Sequence, residues 1–253
     1  MNEAPNIQRT LAALSWASDI VVVDSGSTDG TLQILASHKK VRVFHRKFDT
    51  HSHQWHFAIT ETGIASEWIL RLDADYEVTP ELIAEITALP TDGPYSAYEI
   101  KFGYAVFGYM LRGSLYPANA ILFRRGRVTV FDKGHTEGWS VDGPVFKLKS
   151  TITHNDWKPA HHWVESQARY MFRELPYLHA NRGGLKSWLR RQPPLMPIAV
   201  FLYCLFGKGL VLDGRAGLFY ALQRLLAETA LSLMVIEERL KHRSNNSAER
   251  DSR

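Results

Sequence analysis

Cysteine is nearly absent from this 253-residue sequence, in which Cys204 is the single copy. One cysteine cannot form an internal disulfide, so a disulfide-stapled scaffold is excluded and a reducing compartment is favoured. The opening segment MNEAPNIQRT is polar, with no apolar stretch behind it, and does not resemble a secretory signal. No internal repeat is visible, and low complexity is confined to the tail RSNNSAERDSR, which we expect to be disordered.

Long hydrophobic runs are also absent. The longest uninterrupted one, 195–206, has 12 residues, fewer than the roughly 20 that a membrane-spanning helix needs. Hydrophobic residues still make up 45% of the chain and charged residues 22%, enough to bury one core with an appendage. The formal charge of +4 and the pI near 9.1 favour an anionic partner such as a nucleotide, a phosphate or a lipid headgroup.

Strand-like and helix-like segments alternate through the first 90 residues. DIVVVD and KVRVFHR are long enough for strands and too short for helices, whereas TLQILASH and HQWHFAITETGI have helical spacing. This alternation predicts an α/β sheet with parallel strands. From about residue 95 the pattern changes to β-type runs, and the remaining C-terminal part is helical and more apolar.

Polar residues follow the first predicted strand at the edge where ligands collect in such sheets. Asp24 ends the strand, and the turn SGSTDG leads into the next helix. The turn offers backbone N–H groups and hydroxyls, while Asp24 is able to accept a hydrogen bond from a ribose or a base. The alternative is purely local: Ser27 or Thr28 caps the helix, supported by Asp29 and Thr31.

A second acidic strand end is WILRLDADYEV, in which Asp73 and Asp75 are two residues apart. Side chains two apart on a strand share a face, so we expect both carboxylates to point into the same space. Their repulsion favours a cation there, and Mg²⁺ or Mn²⁺ commonly binds one or two carboxylates together with substrate phosphates. The alternative is an exposed turn before a helix that Thr79 caps and Pro80 begins.

These two motifs carry a family resemblance. The stretch NEAPNIQRTLAALSWASDIVVVDSGSTDGT, followed by EWILRLDADYEVTPEL, resembles glycosyltransferase family 2, the inverting transferases with a GT-A fold. Later segments, such as GHTEGWSVDGPVFKLKSTITHND, are similar to its bacterial members that build lipopolysaccharide core or other surface polysaccharide. The resemblance implies a GT-A, Rossmann-like domain with a mixed, mostly parallel sheet flanked by helices, and transfer of a sugar from a nucleotide diphosphate.

The resemblance also implies roles for individual residues. Asp24 matches the acid that contacts the nucleoside, and Asp73-Ala74-Asp75 matches the family's DXD motif. Asp73 then faces ribose or metal, while Asp75 holds a divalent Mn or Mg ion against the diphosphate of a donor whose base is expected to be uracil. The expected nucleotide-sugar-binding residues are Asn2, Glu3, Asp24, Ser25, Ser27, Gln54, Asp73 and Ala74.

A transferase of this kind also needs a base that takes the proton from the acceptor hydroxyl. Glu137 in GHTEGW lies where related transferases place a His-Glu pair, and it is the first candidate. The histidine is displaced here to His135, and Asp132 is the second candidate. An ordinary surface carboxylate is the alternative interpretation of either acid.

The sequence departs from the family in two places. Members usually begin with a strand before the Asn-Glu pair, whereas this sequence begins at Met1; we expect either a start codon upstream or a protein without that strand. His56 stands where relatives often have asparagine, and with His51, His53 and Asp49 it offers the alternative of a zinc-dependent hydrolase. That segment leads into a helix, and no second histidine pair supports the zinc site.

The C-terminal third is apolar and basic. The range 181–224 contains seven basic residues, Lys208 and Arg215 among them, and a single acidic residue, Asp213. Apolar helices flanked by bases favour a monotopic anchor on an anionic membrane, with a helical pair or dimer as the alternative. Nucleic-acid binding is not expected, since LFRRGR is too short for a groove-reading element. Oligomeric state stays open.

We therefore predict an enzyme that transfers a sugar to a lipid-linked or lipopolysaccharide acceptor at the cytoplasmic face of a bacterial inner membrane. A non-catalytic sugar-nucleotide module or a truncated gene product is the alternative. The expected domains are a catalytic domain 1–157, with donor half 1–90 and acceptor half 91–157, a helical extension 158–243 and a tail 244–253.

Overall fold

A computed structural model describes residues 1–133, 136–180, 188, 192–193 and 195–251. The chain divides into two units, Met1–Lys158 and Pro159–Arg253, so the division falls one residue from the predicted domain boundary.

The first part of the Met1–Lys158 unit alternates helix and strand, as the sequence pattern predicts. Its elements are α1 (Ile7–Ala12), β1 (Ile20–Asp24), α2 (Thr31–Ala36), β2 (Val41–His45), α3 (His51–Thr60), β3 (Trp68–Leu70), β4 (Tyr76–Val78) and α4 (Pro80–Thr87). Strands β1 and β2 pair in parallel, and Ile7, Leu11 and Leu35 of the two helices form a buried cluster against them. Helix α4 has the predicted start, because Thr79 Oγ1 accepts a hydrogen bond from Leu82 N at 3.2 Å and Pro80 occupies the first turn.

The second part of this unit is β-rich. It contains β5 (Ala97–Val106), β6 (Tyr109–Met110), β7 (Asn119–Arg124), β8 (Val128–Lys133), β9 (Thr136–Val141) and β10 (Val145–Asp156). Six of the strands form one sheet in the order β3-β7-β5-β10-β4, with β6 on β5, while β8 and β9 form a hairpin. The main core lies on this sheet, around the fully buried Ile100, Ile121 and Ile152.

The mixed sheet flanked by helices is confirmed, but less of its pairing is parallel than predicted. Parallel pairing joins β1 to β2 and β5 to β10, and the other described pairings are antiparallel. The strand β3 was expected to run in parallel through Asp75. Instead it ends at Leu70 and lies antiparallel to β7. The prediction failed because side-chain alternation in a sequence indicates the faces of a strand but not the direction of the neighbouring strand.

A buried polar network fixes the N-terminal segment to the end of β10. Asn6 is fully buried, and its amide donates to Glu3 Oε2 at 3.0 Å and to Asp156 Oδ1 at 2.8 Å. Its side-chain oxygen, Oδ1, accepts from Trp157 N at 2.8 Å and from Arg9 Nη2 at 3.0 Å. The network therefore joins residues about 150 positions apart in the chain.

Replacing Asn6 by alanine is expected to lower the free energy of unfolding by about 2–3 kcal/mol, because the fully buried position loses four hydrogen bonds. For a unit of this size that lowers the melting temperature by roughly 5–10 °C, which thermal unfolding followed by circular dichroism measures. Gln8→Ala, at an exposed position two residues away, is the matched control. Equal effects of the two substitutions would contradict the role given to the network.

The Pro159–Arg253 unit is helical. It contains α5 (Ala160–Ala180), α6 (Leu195–Leu202), a π-helical turn (Tyr203–Gly207), a 3₁₀ turn (Leu210–Asp213) and α7 (Gly214–Asp251). By length and composition alone, one helical stretch among the described residues, Leu210–His242, is able to cross a membrane. Helix α7 reaches Asp251, so most of the tail that we predicted to be disordered has a helical backbone. Of the seven basic residues between 181 and 224, four lie outside the described residues: Arg182, Lys186, Arg190 and Arg191.

Candidate active site

The loop after β1 is organised around Asp24, whose side chain is almost completely buried. One of its oxygens accepts hydrogen bonds from Gly26 N at 2.8 Å and from Ser27 N at 2.9 Å, and the other accepts from Ser27 Oγ. The carboxylate thus holds its own loop in a tight turn with the backbone N–H groups directed inward.

Asn2 lies against the same loop. Its N–H donates to Ser27 Oγ at 2.8 Å, and its side-chain oxygen accepts from Thr28 N at 2.8 Å. Its φ of 58° is in the left-handed region, which asparagine tolerates better than most residues. The capping alternative for Ser27 and Thr28 is wrong, because α2 begins only at Thr31. Ser27 Oγ donates to Asp24 instead, and Thr28 N donates to Asn2.

Burial by itself raises the pKa of Asp24, but the hydrogen bonds from Ser27 and Gly26 outweigh it and hold the pKa below its ordinary value. A lowered pKa in the folded state gives stability that is present above the unfolded pKa, near 4, and is lost as pH falls toward the folded pKa. We expect Asp24→Asn to cost about 1–3 kcal/mol at pH 7 and progressively less below pH 4. Urea unfolding at pH 7 and at pH 3 checks this, and an equal loss at both pH values would contradict it.

Gln54 on α3 connects the loop to β2. Its amide donates to Ser25 Oγ at 2.7 Å, and its carbonyl oxygen accepts from Arg46 Nη1 at 2.5 Å. The structure therefore brings together Asn2, Asp24, Ser25, Ser27 and Gln54, all of which the sequence assigned to the donor site.

Asp73 and Asp75 lie in the turn between β3 and β4, where Tyr76 N donates to Asp73 O at 3.1 Å. The expectation that they share one face of a strand is wrong, but the turn still brings their carboxylates close enough to interact. Desolvation by nearby protein atoms and the charge of Asp75 raise the pKa of Asp73. Asp73 is nevertheless exposed to solvent.

Asp75 is the more enclosed of the two, with 15% of its side chain exposed. Burial raises its pKa, but the nearby His154 and Lys158 outweigh that and lower the pKa below its ordinary value. Its Oδ1 atom is buried without a hydrogen-bond partner, which costs free energy unless a cation or a donor group binds there.

Sequence reasoning missed His154 as a site residue. Its Nε2 lies 3.4 Å from Asp75 Oδ2, its Nδ1 is buried without a hydrogen-bond partner, and its ring stacks on Tyr104 with centroids 4.6 Å apart. The signal was present, because His154 follows the core residue Ile152 by two positions on β10, and side chains two apart share a face. An ionisable ring on the buried face of a strand marks a candidate site residue.

Glu3 and Ala74 also lie close to Asp75. Glu3 Oε1 pairs with Lys158 Nζ at 2.8 Å, while burial raises the pKa of Glu3 above its ordinary value despite that pair. Ala74 contributes its carbonyl, which accepts from Thr10 Oγ1 at 2.7 Å. Both residues support the walls of the site, and their contact with a donor stays a prediction.

Glu137 on β9 forms an ion pair with Arg71, whose Nη1 lies 2.6 Å from Glu137 Oε1; the two side chains are 14% and 6% exposed. Trp139 Nε1 also donates to Oε1 at 3.2 Å. The guanidinium packs against two indoles that meet edge to face, with its carbon 4.3 Å from the Trp139 ring centre and 5.4 Å from the Trp55 ring centre. Glu137 is close enough to Asp73 for its charge to help raise the pKa of Asp73.

Asp132, the second base candidate, is the cross-strand neighbour of Glu137 in the β8–β9 hairpin. It is exposed, and its Oδ1 accepts from Ser52 Oγ at 2.6 Å. Directly opposed residues of an antiparallel pair point to the same face, so both acids lie on one face of the hairpin. His135 lies outside the described residues.

The histidines of the zinc alternative do not form a metal cluster. The nearest carboxylate contact joins His53 Nδ1 to Asp49 Oδ2 at 3.1 Å. Among the residues that the structure describes, no group of three or more His, Cys, Asp and Glu side chains is arranged to hold a metal ion. The Asp73–Asp75 pair supplies two carboxylates, and a bound diphosphate would complete the oxygen ligands of a divalent cation.

Comparison with known proteins identifies the family of the chain. Residues 1–139 match the model of glycosyl transferase family 2. An uncharacterized glycosyltransferase of Rickettsia bellii is 38% identical over 104 residues, which cover 40% of this chain and 34% of the relative. One from Rickettsia felis is 36% identical over 104 residues, which cover 40% and 36%. The matches span about a third of each Rickettsia relative.

The crystal structure of S. aureus TarS 1-349 matches 94% of this chain and 89% of that chain, with a TM-score of 0.48 and 12% identity. The family model covers more than half of the residues, including Asp24, Asp73, Asp75 and Glu137. The chain therefore belongs to glycosyl transferase family 2.

Proposed function

We propose that this protein transfers a sugar, with inversion, from a nucleotide diphosphate donor to a hydroxyl of a bacterial surface glycan. The donor is a UDP-sugar, and the acceptor is lipid-linked or part of lipopolysaccharide. The single observation that carries the proposal is the Asp73–Asp75 pair, in which Asp73 is exposed to solvent and Asp75 Oδ1 is buried without a hydrogen-bond partner.

The two carboxylates fit a divalent cation. The buried Asp75 Oδ1 has no hydrogen-bond partner, and the charge of Asp75 contributes to the raised pKa of Asp73, so the two carboxylates repel each other and one buried oxygen is available to a cation. Asp75, with Asp73 beside it, would hold Mn²⁺ or Mg²⁺. When bound, the cation acts as a Lewis acid that offsets the charge of the leaving diphosphate.

Glu137 is the residue best placed to take the acceptor proton. Both of its described hydrogen bonds go to Oε1, which leaves Oε2 for a hydroxyl. The Arg71 guanidinium, which packs against Trp55 and Trp139, orients the carboxylate through its ion pair. Asp132 remains the second candidate, on the same face of the hairpin.

Calorimetric titration of the full chain with UDP, with and without Mn²⁺, tests the donor assignment. We expect binding that requires the cation. Binding that is equal in excess chelator would remove the cation from the proposal, and no binding under either condition would overturn the donor assignment.

A non-catalytic sugar-nucleotide module is the second candidate, and the way to separate it is turnover. A transferase releases UDP slowly from a UDP-sugar even when water is the acceptor, whereas a non-catalytic module does not. UDP release measured over hours with several UDP-sugars separates the two, provided that Mn²⁺-dependent binding has been seen.

Membrane attachment is proposed from the helical segment that precedes α7. Its exposed apolar side chains, here named the apolar tip, are Leu195, Ile198, Leu202, Tyr203, Phe206, Val211 and Leu212. Its members are 45–70% exposed, and α6 brings Leu195, Ile198 and Leu202 to one helical face. Lys208 and Arg215 lie in and next to this segment. Exposed apolar side chains with nearby bases fit the interface of an anionic leaflet, where a lipid-linked acceptor would be found.

Replacing Leu195, Phe206 and Leu212 together by serine is expected to reduce binding to phosphatidylglycerol-containing vesicles roughly tenfold or more, because each loses a large apolar side chain that the interface would bury. Vesicle flotation measures the bound fraction. Lys208→Gln with Arg215→Gln should weaken binding to anionic vesicles but not to neutral ones. Wild-type protein that fails to float with any vesicle would contradict membrane attachment.

A further inference from the structure

Helix α7 has a second apolar surface, separate from the apolar tip. Leu222, Leu226, Leu233, Ile236 and Leu240 are 37–62% exposed, and with Thr229 they follow one another at alternating steps of four and three residues. This 222–240 surface is named the heptad seam. At 100° per residue it covers an arc of about 80°, narrower than the face of an ordinary surface helix and close to the a/d seam of a coiled coil.

The opposite face of the same helix is already buried. Tyr220, Ala221, Leu231 and Val235 are 0–3% exposed, and Leu231 and Val235 pack with Met171 and Leu178 of α5. The seam is therefore not the face that holds α7 in its own unit. Thr229 does not disturb it, because its hydroxyl donates to Leu225 O within the helix at 2.7 Å.

The charges around the seam favour a protein partner over an anionic membrane. Between 222 and 241 the acids are Glu228, Glu237 and Glu238, and the bases are Arg224, Arg239 and Lys241, so the sum is zero. Glu237 and Lys241 also pair with each other at 2.6 Å. A helix that binds anionic lipid instead carries an excess of bases on its polar face.

We infer that the heptad seam joins α7 to the same seam of a second copy of this chain. A seam that repeats with this spacing is complementary to itself across a two-fold axis, and it is roughly 27 Å long at 1.5 Å per residue. Its five apolar side chains expose on the order of 400 Å² per copy. Two copies with the flanking side chains then approach the roughly 1,000 Å² of a specific interface, which is the size range of weak and reversible dimers.

Sedimentation velocity of the full chain, from about 1 to 100 µM, tests the inference. Wild type should change from monomer to dimer across this range, while Leu226, Leu233 and Leu240 replaced together by serine should stay monomeric with an unchanged circular dichroism spectrum. The apolar-tip triple variant is the matched control and should still dimerise. A monomeric wild type at the highest concentration, or a seam variant that still dimerises, would overturn the seam.

Oxidative cross-linking gives a second measurement that does not depend on removing the apolar side chains. Leu233 lies near the middle of the seam, so Leu233→Cys should form a covalent dimer, whereas Lys241→Cys, on the flank, should cross-link several-fold less. The native Cys204 is buried and should give a low background. Equal cross-linking at both positions would contradict the seam, and UDP binding of the same variants keeps this outcome separate from the donor assignment.

Discussion

Replacing Asp75 by asparagine is expected to remove Mn²⁺-dependent UDP binding and to lower sugar transfer by roughly 10³-fold or more. The substitution removes the negative charge of Asp75, which repels Asp73. It also replaces a carboxylate whose Oδ1 atom is buried without a hydrogen-bond partner. Because His154 and Lys158 hold the pKa of Asp75 below its ordinary value, the ionised carboxylate stabilises the fold, and we expect the melting temperature of the variant to fall by a few degrees.

Two measurements accompany this result. Calorimetry gives the loss of UDP binding, and thermal unfolding shows that the protein is folded. Asp142→Asn is the matched control, because that carboxylate is 79% exposed and pairs with Arg127 at 2.9 Å away from the site. Normal UDP binding and transfer by Asp75→Asn would place the donor elsewhere.

The second large effect is expected at Glu137. Glu137→Gln should lower kcat by roughly 10²- to 10⁴-fold while UDP binding is retained, because the variant cannot take the acceptor proton. It should also remove the acidic limb of the pH profile of kcat. The variant leaves Arg71 buried without its ion-pair partner, so a loss of stability of about 3–5 kcal/mol accompanies the kinetic effect.

A kinetic effect that arose only from this loss of stability would lower the amount of active protein and leave the shape of the pH profile unchanged. Asp132→Asn, directly across the hairpin, is the control for position. If Asp132→Asn loses kcat and its acidic limb while Glu137→Gln retains both, the base is Asp132.

The local features of the site could be predicted from sequence. Asp24 at a strand end, the turn after it and the Thr79–Pro80 helix start depend on residues within a few positions of one another, so turn and capping preferences are enough. The Asp73–Asp75 pair was found for a partly wrong reason, since the carboxylates meet in a turn and not on a strand. Their proximity along the chain brought them together in either conformation.

Contacts between distant segments could not be predicted in this way. His154 reaches Asp75 across 79 positions, and Arg71 reaches Glu137 across 66. The pairing of β10 with β4 places His154 beside Asp75, and the packing of the separate β8–β9 hairpin places Glu137 beside Arg71. Local periodicity specifies neither arrangement. The same limit explains why β3 was assigned a parallel partner.

The amino-acid sequence by itself determined the family, the acidic motifs of the donor site and the apolar character of the C-terminal helices. Only the tertiary structure decided which groups surround those acids and which face of α7 is left exposed. Burial of an apolar side chain is favourable against any apolar surface. The sequence therefore shows that a side chain is apolar but not which surface buries it. The packing of α5 against α7 shows which apolar side chains of α7 stay exposed.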